Sequence, residues 1–341
     1  MNKSTVIDYD SLYESGIKCK HGVIWKPSVS GFILNQIERT NMLCDELETG
    51  TYKSRPPKKI RITHPKPRDG LCIGFRDRVY QRSLNDNALY PLITKAFIYD
   101  NAACQKGKGT DFARNRIKKF LWNYFCNYGQ NGYVLHIDIK GYYPNMRHDV
   151  VKAKFAKMVP SDIYSMAAET LDTQYSGTVG YNPGSQMVQI AGISVLDDVD
   201  HYCKEQLHIR YYLRYMDDTI IIHNDKDVLR KWLGIIREKL NDIGFEINVN
   251  KTRIDPLCRG FLFLGFTFRL TDTGKVILSI DGQNVKAEKR KLKRLVKKVK
   301  ANKLTKAKVY SCYEAWKAHA SVGNSNLLIQ RMDQYFKNLW R

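Results

Sequence analysis

The sequence predicts an α+β fold, with helices toward both ends and antiparallel strands between them. Three observations carry this. Residues 210–225, RYYLRYMDDTIIIHND, place aromatic and β-branched runs on both sides of Met216-Asp217-Asp218, the pattern of a hairpin with acids at its tip. The segment HIDIKGYYPNM puts another acid, Asp138, near the end of an apolar strand run that stops at Gly141 and Pro144. The last part of the chain is helical in pattern. There Val285, Leu292, Leu295, Val296 and Val299 form one apolar stripe, and lysine and arginine fill most other positions.

With 341 residues, 43% of them hydrophobic, the chain suits one large domain or two to three subdomains and reads as folded. Its 56 Lys and Arg against 34 Asp and Glu give a formal net charge of +22. Such an excess repels itself and attracts polyanions, nucleic acid first and an anionic membrane surface second. The opening MNKSTVIDYDSLYESG has no apolar signal core, and no stretch reaches the roughly 18 apolar residues of a membrane span. A cytoplasmic protein without a membrane partner is therefore expected. The 8 cysteines never form a C-x-x-C pair, which argues against a disulfide framework or a zinc ribbon. His201, Cys203 and His208 stand close in sequence but supply no full ligand set.

Taken in order, helical patterning runs from the start to about Gly50. KSRPPKKIRITHPKPRDG follows, and its prolines restrict it to loop and extended chain. Helical patterning returns from about Leu84 to Phe125, interrupted by CQKGKGTD, which lacks the Walker order and reads as a basic loop. A strand over residues 133–139 and a helical region to about Gln174 come next. VGYNPGSQMVQIAGISVLDDVDHY reads as a Gly and Pro loop opening into a helix, with Asp197-Asp198 late on its solvated face. After the acidic hairpin, apolar residues at 228, 232, 235, 236 and 240 mark an amphipathic helix with Gly244 as its C-cap. FEINVNKTRI and FLFLGFTFRL are each expected as a strand, the latter with Gly265 at a bulge or close approach, and TDTGKV as a turn.

The paired acids require an explanation. Two carboxylates ~4 Å apart repel by about 4 kcal/mol at an effective dielectric near 20, whereas β-propensity spans only ~1 kcal/mol. Either solvent or a bound cation must relieve Asp217 and Asp218. Asp138, set in an apolar strand, needs a partner as well.

In this order the motifs resemble the palm of reverse transcriptases. HIDIKGYYPNM is similar to the first acidic motif, GYNPGSQ to the loop before the template-contacting helix, and Tyr215-Met216-Asp217-Asp218 to the Y-x-D-D hairpin. GFEINVNKT resembles the lysine motif, FLGF the strand that grips the primer end, and HPKPRDGLCIGFRDRVYQ the fingers motif. The likeness covers roughly residues 55 to 270 and implies a right-hand polymerase. Its parts would be an N-terminal helical extension (1–54), fingers (55–132), an antiparallel-sheet palm with the catalytic motifs (133–270) and a basic helical thumb (271–341). It is nearest to bacterial retroelement enzymes, which include defence-associated, unknown-group and diversity-generating classes. The diversity-generating class usually carries Ser-Gln where this chain has Val188-Gln189, which favours the defence-associated class.

The resemblance implies an RNA-directed DNA polymerase, a nucleotidyltransferase that makes cDNA from dNTPs on a dedicated noncoding RNA. An accessory protein or a second copy of the chain would be a further partner. The alternatives are a mutagenic diversity-generating enzyme, a template-independent DNA polymerase and an inactive RNA-binding protein of the same fold. Asp138, Asp217 and Asp218 would be the catalytic acids and, with the Ile139 backbone carbonyl, would hold two Mg2+ ions, Mn2+ being a substitute. Tyr143, five residues after Asp138, would set a ring against a ribose 2′-hydroxyl and so select deoxynucleotides. Lys66 and Arg68 would hold the triphosphate, with Arg61, Arg76 and Arg78 competing for that task. Gln189 would meet the template or the incoming base, and Lys251 would protonate pyrophosphate or hold a phosphate. Leu264, Gly265 and Phe266 would form the primer grip. Acids after Gly282 are too few for an RNase H centre.

Overall fold

The computed structural model describes residues 2–63, 67–182 and 184–341. Four helices open the chain, α1 (Lys3–Ile7), α2 (Tyr9–Cys19), α3 (Pro27–Leu34) and α4 (Gln36–Glu48). Asn2 and Asp8 cap the first two by accepting from the backbone N–H groups of Thr5 and Ser11, which would otherwise lack partners. The described part of the Pro-rich stretch, residues 53–63 and 67–70, is loop and extended chain as expected. Its strands β1 (Lys58–Ile62) and β2 (Arg68–Cys72) pair antiparallel, from Lys58↔Cys72 to Ile62↔Arg68.

Then come α5 (Phe75–Leu84), α6 (Tyr90–Ile93), α7 (Thr110–Tyr128), β3 (Tyr133–Asp138), α8 (Tyr142–Asn145), α9 (His148–Met158) and α10 (Ser161–Gln174). These are followed by α11 (Gln186–Val195), α12 (Asp197–His201), the hairpin β4 (Tyr212–Tyr215) and β5 (Asp218–His223), and α13 (Lys226–Asp242). The chain ends with β6 (Arg253–Pro256), β7 (Phe261–Phe263), β8 (Phe266–Leu270), β9 (Val276–Ile280), α14 (Gly282–Lys300), α15 (Lys306–Ala320) and α16 (Asn326–Asn338). The longer sheets have strand orders β4-β5-β3-β6 and β7-β8-β9. No helix among the described residues is long and apolar enough to cross a membrane.

The residues form two compact units, each assembled from three stretches of chain. The first comprises Met1–Gly109, Ile137–Thr219 and Lys231–Thr252. Its core is α11, where Met187, Val188, Ile190, Ala191, Ile193 and Val195 are all buried. Apolar or small at every position but Gln186 and Gln189 in its first turns and Ser194, such a helix belongs inside a core. Each large aliphatic side chain buried there contributes roughly 1.5–3 kcal/mol.

The second unit comprises Thr110–His136, Ile220–Arg230 and Arg253–Arg341. In it β7 and β8 bury Phe261, Phe263, Phe266 and Phe268 on one face and expose Leu262 and Arg269 on the other, the two-residue alternation of a one-sided sheet. Of the basic end, Leu292 and Val296 of α14 are buried, and Val309, Tyr313, Trp316, Met332 and Phe336 of the last two helices are buried as well.

Three expectations need correction. FEINVNKTRI is not one strand: Ile247 makes an isolated bridge with Ile139, a turn follows over residues 249–251, and β6 starts only at Arg253. The asparagines at 248 and 250 are turn formers, and they outweigh the β-branched residues around them. FLFLGFTFRL is a hairpin rather than a strand with a bulge. Leu264 and Gly265 both take positive φ (48° and 82°), as a two-residue type I′ turn demands. Finally, Asp197 does not face solvent. α11 ends at Val195 and the chain restarts as α12, which turns Asp197 inward (3% exposed) onto Lys154 Nζ at 3.1 Å. Asp198, 2.7 Å from the same ammonium, keeps its solvated position.

Candidate active site

The acids at the hairpin tip are positioned by a buried ion pair. Arg214, on β4, points inward with a side chain 2% exposed, and meets Asp200 of α12, which is fully buried. The guanidinium donates to Asp200 through Nε (2.7 Å) and Nη2 (2.6 Å), to the Ile193 carbonyl (2.9 Å) and to the Met216 carbonyl (3.0 Å). Tyr212 donates its hydroxyl to the same carboxylate at 2.6 Å. Met216 itself adopts φ 56°, the left-handed conformation that a β-methylene residue enters only when its surroundings impose it. The carbonyl just before Asp217 is therefore held by a buried charge.

Asp138 ends β3 and is 6% exposed. Its Oδ1 accepts from Asn248 Nδ2 at 2.7 Å and its Oδ2 from Lys251 Nζ at 2.8 Å. Its backbone is clasped too: the carbonyl accepts from Asn248 N (2.8 Å) and the N–H donates to Thr252 Oγ1 (3.2 Å). The turn that breaks the expected strand thus delivers three side chains to one acid. Next to it, Lys140 N donates to Glu246 O at 2.9 Å. These flanking bonds make the Ile139–Ile247 bridge and leave the Ile139 carbonyl outside it.

The three carboxylates share one electrostatic neighbourhood. Burial pushes the Asp217 carboxyl up to about 6, and the negative charges of Asp218 and then Asp138 add to the rise. Lys251 is held above its ordinary value, chiefly by its bond to Asp138, with the charges of Asp218 and Asp217 contributing. A carboxyl raised by two like charges marks a place short of positive charge. Among the described residues, no three His, Cys, Asp or Glu side chains form a closed cation cage. Magnesium does not require one, since it binds through one or two carboxylates and completes its shell with water and phosphate oxygens. The acids present fit that donor chemistry.

Tyr143, on α8, is half-buried against α11, and burial followed by the charges of Cys104 and Asp217 raises its hydroxyl. Gly192 is what admits its ring: a Cβ there would lie 3.2 Å from the Tyr143 hydroxyl and 3.3 Å from a ring carbon. The neighbouring Tyr142 donates to the Gly192 carbonyl. Gln189 is exposed on a helix whose other residues from Met187 to Val195 are buried.

Of the basic residues proposed for the triphosphate, Lys66 lies outside the described residues, and Arg68 opens β2 with its backbone opposite Ile62. Arg61 pairs with Asp69 at 2.6 Å, and Arg76 pairs with Glu46. Arg78 instead faces a cavity on α5. Leu264, Gly265 and Phe266 belong to the second unit, where Phe266 packs on His319 with centroids 5.0 Å apart. Sequence reading missed Asn248, Thr252, Asp200 and Arg214. The first two could have been suspected from the polar turn signal around Lys251, but nothing local announces the ion pair.

Comparison with known proteins bears on this arrangement. The family described as "Reverse transcriptase (RNA-dependent DNA polymerase)" matches residues 59–268. No curated protein matches the chain. Among solved structures, telomerase from Candida albicans in complex with a TWJ fragment of telomeric RNA is similar at 11% identity and a TM-score of 0.51, over 72% of this chain and 49% of that one. Apo telomerase from Candida tropicalis, truncated of its C-terminal domain, is similar at 14% identity and a TM-score of 0.49, over 66% of this chain and 55% of that one. The chain spans about half the length of these telomerases, and at 11% identity the likeness to the Candida albicans protein speaks to the fold alone.

Proposed function

We propose, for a chain that belongs to the reverse transcriptase (RNA-dependent DNA polymerase) family, that it copies RNA into DNA by adding dNTPs to a primer 3′ end. The observation that carries this reading is the shared electrostatic neighbourhood of Asp138, Asp217 and Asp218 at the junction of β3 with the β4–β5 hairpin. In the reaction the primer 3′ oxygen bonds to the α-phosphorus, its proton departs, and the bond to pyrophosphate breaks. Two magnesium ions, with manganese as a substitute, would be held by Asp138, Asp217, Asp218 and the Ile139 carbonyl, and would supply positive charge to the entering and leaving oxygens.

The chain's own residues do the rest. Arg214 and Asp200 fix the turn that aims Asp217. Asn248 and Lys251 hold Asp138 in one rotamer, and the Lys251 ammonium is a proton source on the same side for the leaving pyrophosphate. Tyr143 blocks the space a 2′-hydroxyl would need, Gln189 meets template or base, and Leu264-Gly265-Phe266 grips the primer. Lys66 and Arg68 serve the triphosphate. In this reading residues 55–132 are fingers, 133–270 palm and 271–341 thumb, following an N-terminal extension.

For the biological setting we infer a dedicated noncoding RNA template in bacterial antiviral defence. The support is Val188-Gln189, which departs from the Ser-Gln of diversity-generating enzymes. Primer extension on RNA, on DNA and without template tests the reaction. Incorporation dependent on an RNA template is expected; incorporation without any template, or none under every condition, would overturn it.

A further inference from the structure

On the first unit, α2, α5 and the start of α11 enclose a cavity of about 170 Å³ whose lining includes none of the three acids. This is below the ~300–1,000 Å³ of pockets that take whole small molecules, so it suits a single compact group. Lys18, Arg78 and Arg82 line it, together with Gln81, Ser185 and Gln186. Only part of the positive charge is neutralised, by Asp86, which lies 2.6 Å from Arg82 Nε and 4.0 Å from Lys18 Nζ. Burial raises the Cys19 thiol on the same wall, and the charges of Arg78 and Arg82 act on it in the opposite sense, which puts both guanidinium groups near the cavity.

Two further features point to a ligand. Gln81 is 4% exposed, and neither its amide nitrogen nor its amide oxygen has a hydrogen-bond partner among the described residues. A buried amide left unpaired is costly, and a ligand in the cavity that Gln81 lines gives it a partner once the side chain turns toward it. The ten-residue helix α11 also begins here, with Ser185 as N-cap accepting from Val188 N. Helix geometry leaves the N–H groups of Gln186 and Met187 without intrahelical acceptors and adds a partial positive charge. Cations, an amide donor and a helix N-terminus all favour a tetrahedral oxyanion.

We propose that this cavity binds a phosphate group, of a nucleic-acid backbone or of a free phosphate ion. It stands on its own residues and does not depend on the polymerase reading. Two assays on the full chain test it: binding of a labelled single-stranded RNA at several salt concentrations, and thermal stabilisation by inorganic phosphate against chloride at equal ionic strength. If a backbone phosphate is the ligand, Arg78→Met weakens RNA binding about tenfold and lowers the salt slope by about one, and phosphate gives no shift specific to the wild type. If a free ion is the ligand, phosphate stabilises the wild type and fails to stabilise Arg78→Met. Lys18→Met, on an exposed side chain, gives the same readouts should Arg78→Met fold poorly. Gln81→Leu distinguishes binding from structure, since it is expected to lose ligand affinity while keeping or gaining thermal stability. If both cation variants bind RNA and respond to phosphate as the wild type does, the assignment is wrong.

Discussion

Replacing both members of the Arg214–Asp200 pair should destabilise the protein by much less than the two single replacements sum to. The pair is buried (side chains 2% and 0% exposed) and doubly bonded, at 2.6 and 2.7 Å. Arg214→Met leaves Asp200 with Tyr212 as its remaining hydrogen-bond donor in this network and takes a donor from the carbonyls of Ile193 and Met216. Asp200→Leu strands a buried guanidinium on those two carbonyls. Removing one partner of a buried pair costs about 3–5 kcal/mol, so the two single losses would sum to roughly 6–10 kcal/mol. The double variant leaves no buried charge, only the two carbonyls short of a donor and the Tyr212 hydroxyl short of an acceptor, at ~1–2 kcal/mol each, for a loss of roughly 3–6 kcal/mol. Urea unfolding followed by tryptophan fluorescence measures all four proteins, and the coupling should be about 3 kcal/mol or more. The double variant should also extend primers slowly although it folds, because the Met216 carbonyl is no longer held. Additive losses, or single losses below about 1 kcal/mol, would refute the reasoning.

Asp217→Ala should reduce nucleotide incorporation to background while RNA affinity, measured by anisotropy, stays within about twofold, since the acid contributes nothing to phosphate contacts. Tyr143→Ala should admit ribonucleotides, raising their incorporation relative to deoxynucleotides by roughly 10–100-fold in single-nucleotide extension, the discrimination one steric contact supplies. Gly192→Ala should mimic part of this effect, because a Cβ 3.2 Å from the Tyr143 hydroxyl must displace the ring. Its thermal stability should change little, as crowding of ~1–3 kcal/mol is partly offset by the ~1 kcal/mol that alanine gains over glycine in a helix. Leu264→Asn should stabilise the β7–β8 turn by up to about 1 kcal/mol, since φ 48° suits asparagine, while weakening primer extension if that turn contacts the primer.

The strong periodic signals in the sequence translated directly into elements. The aromatic and β-branched runs around Asp217 are β4 and β5, and the 228–240 stripe is α13, because each pattern recurs often enough to outweigh any one residue. Failures came where two adjacent residues decide the geometry, as at Leu264-Gly265, or where a polar turn interrupts a strand-like run, as around Asn248. Charges were the hardest to read. Asp197 and Asp198 look like a solvated helix face, and only the fold reveals Lys154 opposite Asp197, 43 positions away along the chain, and Arg214 opposite Asp200, 14 positions away. Asp138 needed a partner on physical grounds, yet Asn248 and Lys251 come from 110 and 113 residues further on, beyond the reach of any local pattern.

The division of the chain has a consequence for its biogenesis. Since Met1–Gly109 joins Ile137–Thr219 and Lys231–Thr252 in one unit, and Thr110–His136 must wait for Arg253–Arg341 in the other, neither is a contiguous fragment. A ribosome adding ~5–20 residues per second exposes early segments for on the order of ten seconds or longer before their last partners emerge. Nascent chains should therefore lean on chaperones until synthesis is nearly complete, and no single truncation point will yield either half as an autonomous product.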